Sequence, residues 1–225
     1  MNTRLFLMLA FATSTLLMGG CASIKPEATE GPKMSVPLKS EPEFPRALVY
    51  RKEGVDFKQY TKFLIEPVEI YQGEDAHFKN VPQSDQQIIA DLIRKELTRT
   101  LQKGYEVVDQ PGPGVLQMKF ILVGVQLTQP ALATITHLSP VGIVMNLGKG
   151  AAGQSGTFMG SVTIAGELYD SQSNTLVGAF LSKRGPDAMD LTATWTGLDA
   201  AKTAVTEWAE RFKEIVDKIQ GRSEK

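Results

Sequence analysis

The chain has 225 residues, 42% of them hydrophobic and 22% charged, with 24 Lys and Arg against 25 Asp and Glu. That composition fits an ordinary globular domain, and its near-balanced charge excludes nucleic acid as a partner, because no basic excess exists to meet phosphates. A single cysteine, Cys21, excludes an intramolecular disulfide.

The N-terminus reads MNTRLFLMLAFATSTLLMGGCAS. One basic residue, Arg4, precedes an apolar run from Leu5 to Met18, then Gly19, Gly20 and Cys21. Basic start, apolar middle and small-residue end are the build of a secretory signal. The run is shorter than the roughly 20 residues of a transmembrane helix. Leu17, Met18, Gly19, Gly20 and Cys21 resemble a bacterial lipobox, with Met18 where Leu is usual. The resemblance implies removal of residues 1–20 and acylation of Cys21, which makes the membrane the first expected partner. Each buried methylene adds roughly 0.8 kcal/mol, so two or more acyl chains hold stably. Ala22 rather than Asp after the cysteine implies, in Gram-negative lipoproteins of this look, sorting to the outer membrane, with the domain facing the periplasm. Losing Arg4 shifts the net charge from −1 to −2.

Residues 21–46 read as the lipidated cysteine and a tether. Pro26, Pro32, Pro37, Pro42 and Pro45 stand among Glu, Lys and Ser, and such a segment cannot bury enough apolar surface to order itself. Extended, it reaches roughly 75 Å.

Residues 47–220 read as a single folded domain, with 221–225 as a tail. Phe63–Tyr71 (FLIEPVEIY) predicts a strand, with Pro67 marking an edge or a bulge. The stretch from Ser84 to Gly104 predicts a helix: Ser84 and Gln87 form a capping box. Ile88, Ile89, Leu92, Ile93, Leu97 and Leu101 line one face, and Gly104 supplies the stop. YEVVD and VLQMKFILVGVQLT predict strands separated by the turn QPGPG. GSVTIAGELYD, the turn SQSN and TLVGAFLSK predict a hairpin. On its first strand Ser161, Thr163, Ala165 and Glu167 share one face, and Val162, Ile164, Gly166 and Leu168 the other. A closing helix carries the stripe Leu198, Ala201, Val205, Trp208, Phe212, Ile215 and Ile219, and Gly221 ends it. The fold class expected is α+β: two layers, a mostly antiparallel sheet of about five strands, covered on one face by two long amphipathic helices.

VYRKEGVDFKQYTKFLIEPVEIY, YEVVDQPGPGVL, ELYDSQSNTLVGAF and AVTEWAERF together resemble the bacterial lipoproteins grouped as domain-of-unknown-function 3313. The resemblance spans most of residues 47–220. It supports the lipoprotein reading and the domain bounds, and it implies no activity and no site residues.

GKGAAGQS, Gly148 to Ser155, satisfies G-x-G-x-x-G at Gly148, Gly150 and Gly153, and misses the phosphate loop G-x-x-x-x-G-K-[ST] because Gln154 replaces Lys. A phosphate loop must open a helix, whose first N–H groups hold the anion, and here loop and strand residues follow. Asp170 stands about where a ribose-binding carboxylate belongs, but a hairpin turn accounts for it. No nucleotide and no cofactor is expected.

From Phe120 to Gly166 the single charged side chain is Lys149, and His137 is the other titratable group. The run reads either as core strands with a packed loop, or as a partner surface for self-association or for another envelope protein. Within it Val141, Ile143, Val144, Met145 and Leu147 are the candidate interface, on a short helix beginning at Pro140. Elsewhere, Glu74, Asp75 and His77 form a solvated acidic loop rather than a metal site, so no metal ligand is assigned. Glu66 and Glu69, three apart on a strand, face opposite ways. Trp195 and Trp208 read as core aromatics. No G-x-S-x-G, H-E-x-x-H or paired cysteine occurs, and no catalytic residue is assigned. The function expected is a non-catalytic binding or assembly module of the cell envelope. The alternative is a periplasmic hydrolase with a site formed by distant residues.

Overall fold

A computed structural model describes Pro26 and residues 31–78, 80–126, 161–184 and 198–222. Cys21, His137, the interface candidates Val141, Ile143, Val144, Met145 and Leu147, the glycine stretch 148–155 and Trp195 lie outside them.

The described elements are β1 (Lys39–Ser40), β2 (Ala47–Arg51), a 3-10 turn (Phe57–Gln59), β3 (Lys62–Ile65), β4 (Glu69–Ile70), α1 (Gln83–Leu101), β5 (Glu106–Val107), β6 (Val115–Gln126), β7 (Ser161–Asp170), β8 (Thr175–Arg184) and α2 (Leu198–Gln220). The fold is α+β, as expected. The sheet is larger than five strands: eight take part, in the order β1-β2-β8-β7-β6-β3-β5, with β4 also on β6. It is also mixed. The β1 to β6 side pairs antiparallel, while β3, β4 and β5 pair in parallel. Parallel neighbours need a crossover, and α1 lies in the connection between β3 and β6.

The expected strand Phe63–Tyr71 is divided at Pro67. β3 runs along β6 from Lys62↔Val115 to Ile65↔Met118, and β4 resumes at Glu69↔Ile121. Three residues, Glu66, Pro67 and Val68, thus oppose two on β6, so the proline sits in a bulge on the same edge. The predicted hairpin forms. Asp170 Oδ1 accepts from Ser173 N and Ser173 Oγ, both at 2.8 Å, and Asn174 closes the turn at φ 52°. Asp170 is therefore a turn residue.

α1 starts two residues earlier than expected, with Pro82 rather than Ser84 at the cap position and no side-chain cap. Gln87 instead donates to Asp91, so the Ser84 capping box does not form. Ile89, Ile93, Leu97 and Leu101 are fully buried, whereas Ile88 stays 47% exposed: at one residue, or about 100°, from Ile89 it falls off the core-facing stripe. Gly104 follows α1 without adopting positive φ, whereas Gly221 at φ 72° ends α2. There Arg222 N reaches Asp217 O and Gly221 N reaches Lys218 O, the two bonds of a Schellman cap.

Both helices share one core with the inward residues of the sheet, among them Phe63, Met118, Phe120, Leu122 and Ile164. The alternation read for β7 holds: Val162 and Ile164 lie in that core, and Ala165 in a second cluster with Val123 and Leu181. Met34 and Leu38 pack on this second cluster. Gly31 N donates to Asp75 at 2.8 Å and Ser35 N to Glu167 at 3.0 Å. Residues 31–46, expected to be tether, are thus a strap over the second face followed by strand β1. Among the described contacts, two apolar side chains and two hydrogen bonds from backbone N–H groups to side-chain carboxylates dock it.

Candidate functional site

The helix-facing side of the sheet is built in cross-strand rows. Register places Phe120 opposite Gly166, Gly166 opposite Phe180, and Phe180 opposite Val49. The next row is Met118, Leu168, Gly178 and Arg51, and on the other side lie Leu122, Ile164, Ser182 and Ala47. Paired residues point to one face, so these rows carry the apolar surface from β6 out to β2. α2 crosses them. Trp208 and Phe212 sit one turn apart on it and meet Phe120 and Phe180. The four rings are mutually in contact, with centroids between 5.5 Å (Trp208–Phe212) and 6.3 Å (Phe180–Trp208).

Beyond this quartet α2 no longer fills the space above β8 and β2. A cavity of about 220 Å³ lies there, walled on the sheet side by Ala47, Val49 and Phe180 and on the helix side by Phe212, Ile215 and Ile219. Phe44, just before β2, and Phe57 add further apolar wall. The small residues Ala47 and Gly178 contribute to the opening, since larger side chains there would occupy it.

The helical wall is pinned at its C-terminal end. Tyr105 Oη donates to Asp217 at 2.7 Å, Gln220 Nε2 donates to the carbonyls of Phe57 and Tyr60, both at 2.8 Å, and Arg222 Nη1 donates to Gly104 O at 2.7 Å. Burial first, then the Asp217 bond, push the Tyr105 hydroxyl above the usual phenol range. Tyr60, buried beneath the cavity, donates to Asp170 at 3.1 Å, and burial followed by that bond raises its pKa to about 12.

Charges at the rim pair with one another. Arg51 meets Glu41 at 3.0 Å and Glu43 at 3.7 Å, and Lys218 meets Glu43 at 2.6 Å. The Lys218 hydrogen bond holds the Glu43 carboxyl below its usual range. The Arg51 guanidinium also lies 5.8 Å from the Phe44 ring centroid. Arg211 pairs with Glu214 at 2.6 Å. Arg46 and Arg184 stand at the opposite end, near Ser182.

Other sequence candidates resolve differently. Asp75 accepts from Tyr71 Oη at 2.8 Å and from Gly31 N, which hold its carboxyl below the usual range. His77 bridges to Gly124 through the backbone, and its Nε2 is enclosed without a partner. Among the described residues no three His, Cys, Asp or Glu side chains gather as a metal site. Glu66 takes a hydrogen bond from Gln117 and is not brought to Glu69 as a pair. Among the described residues no helix is long and apolar enough to cross a membrane. The cleft itself went unpredicted. Its residues come from five separated stretches, and the available signal was two glycines, Gly166 and Gly178, inside predicted strands.

Residues 36–212 match the family model described as Protein of unknown function (DUF3313). The chain belongs to the DUF3313 family. No curated protein matches it. Solved structures similar to this DUF3313 member include a PelC dodecamer from Paraburkholderia phytofirmans, at 11% identity over 72% of this chain and 96% of that chain, with TM-score 0.36. A DUF330 protein from Xanthomonas campestris is 10% identical over 72% and 88%, with TM-score 0.39. A DUF4136 family protein from Bacteroides thetaiotaomicron is 12% identical over 76% and 97%, with TM-score 0.29.

Proposed function

We propose that this DUF3313 member is an outer-membrane lipoprotein, acylated at Cys21, whose domain is a non-catalytic binding module of the cell envelope with the cleft under α2 as its binding element. The observation that carries the reading is the cleft: an apolar hollow against an aromatic quartet, with rim charges such as Arg51, Glu43 and Lys218 engaged with one another. Ligand sites are concave and mostly apolar. The sequence from Leu17 to Cys21 supports the anchor.

The test is cross-linking in cells. A photoreactive residue replaces Ile215 on the cleft wall of the full lipoprotein, and Ile88, exposed on α1, serves as control. The expected result is a discrete adduct from position 215 and none from 88. Equal labelling at both positions, or none at 215, overturns the assignment of the cleft.

A further inference from the structure

We propose that the cleft takes one straight aliphatic chain, the acyl tail of a fatty acid or a single-chain lipid, and leaves the head group in solvent. The inference rests on the cleft being the binding element and names the class of its occupant.

Size sets the first limit. A dry cavity of about 150 Å³ takes one benzene, so a cavity of 220 Å³ takes on the order of nine carbons. Shape sets the second. On one side the wall runs from Ala47 to Arg51, about 13 Å at the rise of a strand. On the other it runs from Trp208 to Ile219, about 16 Å at the rise of a helix. The hollow is longer than a single apolar side chain and too small for two acyl chains side by side.

At the Phe44 end, polarity disfavours the main competitor. A peptide or sugar brings N–H, C=O or O–H groups, each costing about 1–3 kcal/mol if dried without a partner. Tyr60 is already bonded to Asp170, Gln220 to two backbone carbonyls, and Arg51 to Glu41 and Glu43. Such a ligand would have to break these bonds to be satisfied. An aliphatic chain asks for none. At the Phe44 mouth two cations, Arg51 and Lys218, face two acids, Glu41 and Glu43, a balance that gives no reason to select a charged head there.

The experiment displaces a neutral apolar fluorophore, N-phenyl-1-naphthylamine, from the purified full chain. The competitors are straight alcohols from butanol to hexadecanol, the matching carboxylates, lysophosphatidylcholine and bulky cyclic hydrocarbons. The expected result is displacement that strengthens about fourfold per methylene, the equivalent of about 0.8 kcal/mol, and levels off once the hollow is full, whatever the head. Displacement by the carboxylates but not by the lysolipid restricts the source to a free fatty acid, and displacement by both admits a single-chain lipid. Ala47→Trp and Ile215→Trp, one on each wall, each lower affinity at least tenfold with an unchanged thermal melt. Fluorophore binding that responds to these variants but is displaced without chain-length dependence, or equally by cyclic hydrocarbons, overturns the acyl inference and leaves the cleft standing. Fluorophore binding indifferent to both variants, or none, overturns the cleft assignment as well.

Discussion

Phe120 and Phe180 place their rings 6.1 Å apart across Gly166, which lies between them on the middle strand. A Cβ on that glycine would come within 2.5 Å of Phe180 Cε1 and 3.0 Å of Phe120 Cδ1. Gly166→Ala therefore forces Phe180 aside, and the open direction is the cleft. The expected outcome is a loss of about 1–3 kcal/mol, as for overpacking generally, read by urea unfolding, together with weaker binding of N-phenyl-1-naphthylamine. Wild-type stability in this variant would show that the two rings have slack, and would undo the packing argument.

The Tyr60–Asp170 bond makes a prediction in alkali. The Tyr60 pKa rises from 10.0 to about 12 on folding, so between those values the unfolded chain loses a proton that the folded one keeps. Stability then falls as pH rises. Its contribution is complete below about pH 10 and gone above about pH 12. Tyr60→Phe costs about 1 kcal/mol at neutral pH and gives a shallower decline through that window. Parallel stability curves for variant and wild type would contradict the assignment.

Two glycines after helices should behave differently. Gly221 adopts φ 72°, where an L side chain costs about 1–2 kcal/mol, so Gly221→Ala lowers stability by about 1 kcal/mol. Gly104 does not adopt positive φ, and the atoms nearest to an added Cβ lie at the end of the Lys213 side chain, 3.9 Å away. Gly104→Ala leaves stability within about 0.5 kcal/mol. A chemical denaturation pair decides it, and equal losses would refute the distinction.

The two glycines also show what was legible in the sequence. Both looked like helix stops, and only backbone geometry separates them. The long elements were readable because eight or more residues repeat a period: α1, α2, β6 and the β7–β8 hairpin. The five expected strands all form, YEVVD included as β5. The sheet is larger because Pro67 divides one of them into β3 and β4, and because β1 and β2 precede the first predicted element, β1 with two residues and β2 with five, too few to set up a clear alternation. Met34 and Leu38 sit among polar residues and prolines with no period, and their role depends on Val123, Ala165 and Leu181 presenting a second apolar face. The cleft was hidden for a related reason. Phe44, Phe180 and Ile219 are ordinary apolar residues until a fold fixes what stands opposite each.

The lipid assignment is tested at one atom. Cys21→Ala should abolish fatty-acid labelling and membrane retention together. Continued labelling of the variant would place the lipid elsewhere.

Val144 tests the interface candidates. Val144→Asp is expected to leave the melting temperature nearly unchanged, within about 1 kcal/mol as for surface changes, while reducing cross-linked complexes of the full lipoprotein in cells. A collapse of the melt would put Val144 in a core and remove it from the interface.

The strap has a mechanical consequence. A pull on the chain ahead of residue 31 would load the backbone bonds from Gly31 to Asp75 and from Ser35 to Glu167 one after the other, and only then the two-residue strand β1. Bonds loaded in series peel at low force, whereas β2 is held along its length by β8. Under tension the first ten or so residues would lift off and lengthen the leash, and Val123, Ala165 and Leu181 would lose the cover of Met34 and Leu38 while the helix-covered core stayed shut.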